Sequence, residues 1–310
     1  MRRVVETFEQ PLASASGAPA ILAHAVVGLG RFGSTHARKL AALPGFSLRA
    51  AVDPHPDAAV PPDLAALPLL RRLPELPADI DSATVATSDA AHAEVAVALM
   101  ARGCHVLVEK PMCLAPADGV RMLAAAAQHE RHLYVGHVER FNPAFDGTTL
   151  TALRNALRRT PAGGEPLLRF ERASCRQGPP LDCVLDLMVH DLDLMAWLCA
   201  IPVEEPLELL DRHLDRDGVH ARIRLGGREA QLNASYGAAA PMARMALRTH
   251  DGWRLLDLRG PTPCQRPSAD DALSRQYMAL RLAVHGEPAR IATGREGLAA
   301  VLRARQILLA

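Results

Sequence analysis

At 310 residues the chain is long enough for two domains, each with its own core. Hydrophobic residues make up 49% and charged residues 22%, which is ordinary for a globular protein. The formal net charge is +1 with Lys and Arg scattered, so nothing points to a nucleic-acid partner or an anionic membrane surface.

The first 20 residues carry paired arginines, but Glu6 and Glu9 interrupt the apolar stretch that a signal peptide needs. They read as a flexible arm, with an atypical twin-arginine signal as the alternative. The next run, ILAHAVV, is too short to span a bilayer, and a cytoplasmic location is expected. The six cysteines (Cys104, Cys113, Cys175, Cys183, Cys199 and Cys264) form no C-x-x-C pair or zinc-spaced cluster. They read as buried free thiols in a reducing compartment, and no metal is expected.

From residue 21 short apolar runs alternate with helical patterns. Strands are predicted at Ile21–Val27, Leu48–Val52, Ala83–Ala86, His105–Val108 and His132–Val135. Helices are predicted at Ser34–Leu43, Ala90–Arg102 and Pro116–Glu130, and this alternation is that of a doubly wound parallel sheet. Residues 54–81 are proline-rich and read as loops with at most one short helix. Beyond about residue 140 the rhythm changes. Helices at Pro143–Arg159 and Cys183–Ala200 flank a strand at Leu167–Ala173. Strands at Ala221–Leu225, Glu229–Tyr236, Arg244–Thr249 and Trp253–Leu258 are separated by Gly-Gly, Gly-Ala and Asp-Gly, which are hairpin signals. Helices at Asp270–His285 and Arg295–Leu309 close the chain. The expected domains are an arm over 1–20, a Rossmann domain over 21–138 and an α/β domain with an open, mainly antiparallel sheet over 139–310.

Four stretches carry candidate chemistry. Gly28-Leu29-Gly30-Arg31-Phe32-Gly33 is G-x-G-x-x-G between a strand and a helix. Its glycines permit a tight turn, close approach of a pyrophosphate, and close helix–strand packing. The helix N-terminus offers N–H groups to phosphates. Asp53, twenty residues past Gly33, can bind ribose hydroxyls and would repel a 2′-phosphate, which favours NAD over NADP. The alternative is a plain strand–turn–helix with a loop aspartate. Glu109-Lys110-Pro111 closes the fifth strand and aims Lys110 at the cofactor crevice; the alternative is a surface lysine beside a turn. A cis Lys110–Pro111 bond is the minority option. Asp186 and His190, four apart, share one face of an apolar helix, and a carboxylate beside an imidazole sets its tautomer and raises its basicity. The alternative there is a helix-surface ion pair, the reading given to Asp191 and Asp193. Gly136-His137-Val138-Glu139-Arg140-Phe141-Asn142-Pro143 offers Arg140 and Asn142 as substrate contacts. Its alternative is a linker in which Asn142 caps a helix beginning at Pro143.

In this order and spacing the four motifs resemble the Gfo/Idh/MocA family of NAD(P)-dependent sugar oxidoreductases, from about residue 21 to the C-terminus. The shared features are the glycine motif with His36 after it, E-K-P at Glu109–Pro111, and D-x-x-x-H at Asp186–His190. The resemblance implies a Rossmann domain followed by an α/β domain whose open sheet serves substrate binding and oligomer contacts, in a homodimer or homotetramer. It implies Lys110, Asp186 and His190 as catalytic residues. Arg31, Phe32, Thr87, His92, Glu109 and Lys110 join the glycines and Asp53 as expected NAD contacts, and His190 joins Arg140 and Asn142 as an expected substrate contact. The family's G-G-G run before the aspartate is absent, the chain reading RQGPPLDCVLD there, and its T-P segment is altered to Thr87-Ser88-Asp89. GHVERFNPA and LDLMVHDLDL resemble the branch that acts on nucleotide-linked N-acetyl sugars, especially UDP-N-acetylglucosamine 3-dehydrogenases that begin amino-sugar synthesis for lipid A or surface polysaccharide. The expected reaction is oxidation of a ring C3 hydroxyl, with His190 as base and Lys110 stabilising the oxygen, or with those roles exchanged. A dehydrogenase of a free polyol such as myo-inositol is the runner-up, and a non-catalytic dinucleotide-binding regulator the reading from another class.

Overall fold

The computed structural model describes residues 21–159, 167–249, 252–259 and 270–309. The expected arm and Cys264 lie outside the described residues. The described residues form two compact units: those of 21–136 with 273–294, and those of 137–272 with 295–309. The expected single cut near residue 138 therefore needs one amendment, because a late segment returns to the first unit.

The first unit is built from β1 (Leu22–Val27), α1 (Arg31–Ala42), β2 (Phe46–Val52), β3 (Leu69–Leu70), β4 (Ser82–Val85), α2 (His92–Ala101), β5 (His105–Val108), α3 (Pro116–Gln128) and β6 (Leu133–Val135). Residues 54–81 hold β3 and two single helical turns. The late segment supplies most of α6 (Ala272–Val284) together with β13 (Ala292–Thr293). Strand order is β13-β6-β5-β4-β1-β2-β3, parallel except for β13. Helices on a parallel sheet bury both faces, so its strands are apolar runs rather than alternating ones. The register aligns Val27, Val52, Val85, Val108 and Val135 across five strands. The residues just beyond those valines include Gly28, Asp53, Glu109 and Gly136, so the sheet itself gathers the sequence motifs at one end.

Burial in this unit includes two histidines held neutral. Burial, with His36 nearby, pushes His24 down to about 3, and burial, with His132, Arg131 and His285 nearby, pushes His105 down to about 4, from an ordinary value of 6.5. The His105 ring stacks on His132 at 5.0 Å, and its Nδ1 accepts the His132 N–H. Below pH 6.5 the unfolded chain takes up protons that these folded rings refuse, so stability falls as pH drops from 6.5 towards the folded values. Urea unfolding at pH 5 should show a stability lower than at pH 7 by roughly 2 kcal/mol per histidine; equal midpoints at the two pH values would contradict this.

The second unit contains α4 (Gly147–Arg159), β7 (Leu168–Ala173), α5 (Val189–Cys199), β8 (Glu208–Leu214), β9 (Gly218–Leu225), β10 (Arg228–Ser235), β11 (Met242–Thr249), β12 (Gly252–Asp257) and α7 (Gly294–Leu309). The sheet runs β12-β11-β7-β10-β9-β8, and only β7 and β10 pair in parallel. Its core joins Phe170, Val219, Ile223, Leu232, Met245 and Leu247 of the sheet to Leu153, Leu157, Leu192 and Met195 of the helices. Fully burying such a side chain contributes about 1.5–3 kcal/mol. The helix expected from Pro143 starts at Gly147. Asn142 does act as a cap, accepting the Ala144 N–H at 3.0 Å, but over a single turn at Pro143–Phe145. The helix expected over Cys183–Ala200 opens with a π turn at Val184–Met188 before α5 begins.

Candidate active site

In the first unit the glycine loop has the form that a dinucleotide needs. Gly28 has φ +92°, and a Cβ there would lie 2.5 Å from the Ala86 carbonyl oxygen. A Cβ on Gly33 would fall 1.8 Å from the Gly28 carbonyl oxygen, so only glycine lets α1 approach the loop. Gly30, by contrast, faces open space, with nothing within 4 Å of a Cβ. That opening lies at the N-terminus of α1, where N–H groups meet an anion. Arg31 and Phe32 are exposed beside it, the guanidinium 4.8 Å from the ring centroid. Asp53 accepts the Leu29 N–H at 2.7 Å on one oxygen and the His55 N–H at 2.9 Å on the other. A carboxylate has about four lone-pair positions, so ribose hydroxyls can still be accepted. These residues fit NAD. Thr87, half-buried at the end of β4, also lies near this loop through Gly28, whose added Cβ would stand 2.8 Å from the Thr87 nitrogen.

Lys110 follows β5, half-buried, and the Lys110–Pro111 bond is cis. Two of its expected companions act on the turn itself. His92 is fully buried and its Nδ1 donates to the Pro111 carbonyl at 3.0 Å, so it braces the E-K-P turn; this corrects its expected role as an NAD contact. Glu109 is also tied inward, to His36 Nε2 at 3.0 Å and to the Lys110 N–H at 3.3 Å. Burial pushes its carboxyl up, but His36 and Lys110 outweigh that and hold it below the usual range. Gly136 packs closely opposite it, since a Cβ there would sit 2.6 Å from Glu109 Oε1 and displace the carboxylate.

Behind Glu109 runs a buried chain of hydrogen bonds. His36 Nε2 donates to the ionised Glu109 carboxylate, and His36 Nδ1 pairs with the Tyr277 hydroxyl at 2.7 Å. Tyr277 pairs with Thr84 at 2.9 Å, Thr84 with His24 Nε2 at 2.9 Å, and His24 Nδ1 with Ser82 at 2.7 Å.

In the second unit Asp186 lies in the π turn and His190 in the first turn of α5, both half-buried. A π turn inside a helical run is frequent at functional sites. The Asp186 carboxylate accepts from the Tyr236 hydroxyl at 3.0 Å and from Arg176 at 3.4 Å. Neither residue was apparent as a site residue from the sequence, although Tyr236 adjoins Gly237 and Arg176 lies two before Gly178. The His190 ring meets buried His137 edge-on at 6.4 Å.

Arg140, expected as a substrate contact, is 3% exposed and saturated by carboxylates. It holds Asp193 through two hydrogen bonds of 2.9 and 2.6 Å, and Glu296 at 2.9 Å. Asn142 is likewise engaged by Glu139, by the Leu258 carbonyl and by the Ala144 N–H. Both therefore read as structural ties, because buried polar groups in such an apolar setting must find partners. Asp191 and Asp193 are ion-paired as expected, yet buried rather than on the surface: Asp191 accepts from Arg172 at 2.6 Å, and Arg172 also holds Glu139 at 2.9 Å. The stretch from His137 to Asn142 is thus a latch onto α5, and it anchors the helix that carries His190. A cavity of about 280 Å³ beside Arg140, Trp197 and Arg303 belongs to the same tie, since Arg303 donates to the Pro202 and Glu205 carbonyls. Of the described cysteines, Cys104, Cys113 and Cys183 are buried and Cys199 is partly so, whereas Cys175 is exposed, against expectation.

Residues 22–137 match the profile of the Gfo/Idh/MocA oxidoreductases, described as an oxidoreductase family with an NAD-binding Rossmann fold. The UDP-N-acetylglucosamine 3-dehydrogenase of Acidithiobacillus ferrooxidans is 30% identical over 245 residues, 76% of this chain and 74% of that protein. A solved structure of that enzyme aligns with a TM-score of 0.72 at 25% identity, over 92% of this chain and 96% of the other. The myo-inositol 2-dehydrogenase of Thermotoga maritima is 29% identical over 191 residues, 58% of this chain and 55% of that protein. GenD2 from gentamicin A biosynthesis, solved with NAD, shares the fold with a TM-score of 0.75 at 22% identity, over 95% of each chain.

Proposed function

Because the chain belongs to the Gfo/Idh/MocA family and is an NAD(P)-dependent oxidoreductase acting on CH–OH groups, we propose that it oxidises a nucleotide-linked N-acetyl sugar, at C3 of UDP-N-acetylglucosamine, with NAD as cofactor. The observation that carries this reading is the extent of the likeness. Similarity to the UDP-N-acetylglucosamine 3-dehydrogenase reaches across 76% of the chain, whereas that to the Thermotoga inositol enzyme stops at 58%. Asp53 beside the glycine loop supports NAD, because its charge repels a 2′-phosphate. The product would be a 3-keto sugar, the form an amino donor can convert, in keeping with a first step towards the amino sugars of lipid A or surface polysaccharide.

Bound NAD supplies the hydride acceptor, C4 of its nicotinamide. His190 takes the hydroxyl proton as general base, and Asp186 supports the imidazolium that forms. Lys110 hydrogen-bonds the same oxygen and stabilises the negative charge that develops on it. With Arg140 saturated, Arg176 is the guanidinium suited to a phosphate: its side chain is 63% exposed and lies 3.4 Å from Asp186.

Purified protein would be incubated with NAD and, separately, UDP-N-acetylglucosamine, myo-inositol and glucose, with NADH absorbance followed and a 2-oxoacid added in parallel to detect recycling. Turnover confined to the UDP-sugar is the expected result. Turnover with inositol or glucose alone would discard the specificity while keeping the family. Arg176→Ala should raise KM for the UDP-sugar about tenfold, the size of one lost charge-assisted hydrogen bond, with kcat nearly unchanged. An unchanged KM would remove Arg176 from the site.

A further inference from the structure

We propose that Tyr236 is a positioning residue for the oxidation: its phenol fixes the Asp186 carboxylate in the orientation that supports His190. This rests on the assignment of Asp186 and His190 made above.

Tyr236 follows β10, and its backbone N–H donates to the Asp217 carbonyl at 2.8 Å. The residue is 3% exposed, yet its hydroxyl reaches Asp186 Oδ2 at 3.0 Å. Burial first, and the adjacent Asp186 charge second, push the phenol well above its ordinary value. It therefore stays protonated across the working pH range and can only donate to that oxygen. The ring itself has little freedom. A Cβ on Gly178 would sit 3.2 Å from Tyr236 Cε2, so the backbone of the 174–178 loop lies against the ring. The Arg176 guanidinium lies 5.7 Å from the ring centroid. That loop is joined to the residues around Tyr236 by three hydrogen bonds: Ser174 N–H to Ser235 at 3.0 Å, Gly237 N–H to Arg176 at 2.8 Å, and Ala238 N–H to Ser174 at 3.1 Å. The phenol is thus a fixed donor, and it addresses the one turn where the helical run widens to π geometry.

A fixed donor matters because an aspartate side chain turns about two bonds, and a catalytic group misplaced by about 1 Å costs on the order of a hundredfold in rate. Arg176 also contacts the carboxylate, but at 3.4 Å and from an exposed side chain, so it can neutralise charge without fixing direction. Direction comes from the buried tyrosine.

The test compares Tyr236→Phe, Gly178→Ala and Asp186→Asn in the full chain with NAD and UDP-N-acetylglucosamine. Tyr236→Phe removes only the hydroxyl, and should lower kcat about tenfold with KM within about twofold of the parent. The primary deuterium isotope effect on kcat, with C3-deuterated substrate, should rise, because slowed chemistry becomes more limiting. A fall in the folded fraction would lower apparent kcat and leave the isotope effect unmoved. Gly178→Ala presses on the ring without removing the hydroxyl and should move both quantities in the same direction, which keeps the test open if Tyr236→Phe folds poorly. Parent-like kcat and isotope effect in Tyr236→Phe, with Asp186→Asn inactive, would overturn the role of Tyr236 and leave the assignment of Asp186 standing. Parent-like activity in Asp186→Asn would overturn that assignment, and this inference with it.

Discussion

His190→Ala and Lys110→Ala are each expected to lower kcat by about 10²–10⁴-fold, with NAD affinity close to that of the parent in His190→Ala. The reason lies in the chemistry of the step. Taking a hydride from a secondary alcohol leaves a carbonyl only if the hydroxyl proton departs too, and water at neutral pH is a poor acceptor for it. His190 is half-buried, in the first turn of a helix held in place by the buried pairs Arg172–Asp191 and Arg140–Asp193. Lys110 lies in the Glu109–Pro111 turn that His92 braces through the Pro111 carbonyl. The two variants separate the roles. If His190 is the base, the alkaline part of the pH–rate profile survives better in His190→Ala, where hydroxide can substitute, than in Lys110→Ala. The reverse pattern would exchange the roles. Wild-type rates in both variants would remove both residues from the chemistry.

Arg140→Ala is expected to destabilise the protein by about 3–5 kcal/mol, the usual result of removing one partner of a buried ion pair. Asp193 would remain 2% exposed without the guanidinium that now holds both its oxygens, with His137 Nδ1 at 3.9 Å and the more distant Arg303 charge left to offset it. Arg140→Lys should recover only part of the loss, because an ammonium cannot reproduce the forked contact and also reach Glu296. The measurement is denaturant unfolding of the three proteins, with KM for the sugar determined on the folded fraction. A raised KM with unchanged stability would restore Arg140 to the substrate site and contradict the structural tie.

The parallel sheet was readable in the sequence because strands buried on both faces are largely apolar, and the runs leading to Val27, Val52, Val85, Val108 and Val135 are mostly so, polar exceptions such as His24, Ser82 and Thr84 being hydrogen-bonded to one another. The glycine loop and Glu109–Pro111 were readable for a related reason: tight turns and close backbone approach restrict residue type within a few positions. What escaped depends on distant partners. Arg140 and Asn142 look like ligands in isolation, and become ties only once Asp193, 53 positions away, and the Leu258 carbonyl, 116 away, come into place. Tyr277 completes the network behind Glu109 from 241 positions beyond His36, and no local pattern announces it. β8 was missed because it is an edge strand, largely exposed and with a register shift between Leu209 and Asp211, so its side chains never alternate cleanly. The π turn hides in the spacing itself, since Asp186 and His190 look one α-turn apart whichever helical geometry the chain adopts.

The most direct measurement follows the hydride. UDP-N-acetylglucosamine deuterated at C3 would be incubated with the protein and NAD, and the reduced nucleotide analysed by mass and by proton NMR at nicotinamide C4. The account predicts deuterium at that carbon together with a 3-keto sugar nucleotide. Unlabelled NADH, or label retained at C3 while NADH forms, would show oxidation elsewhere on the molecule and contradict the assigned reaction.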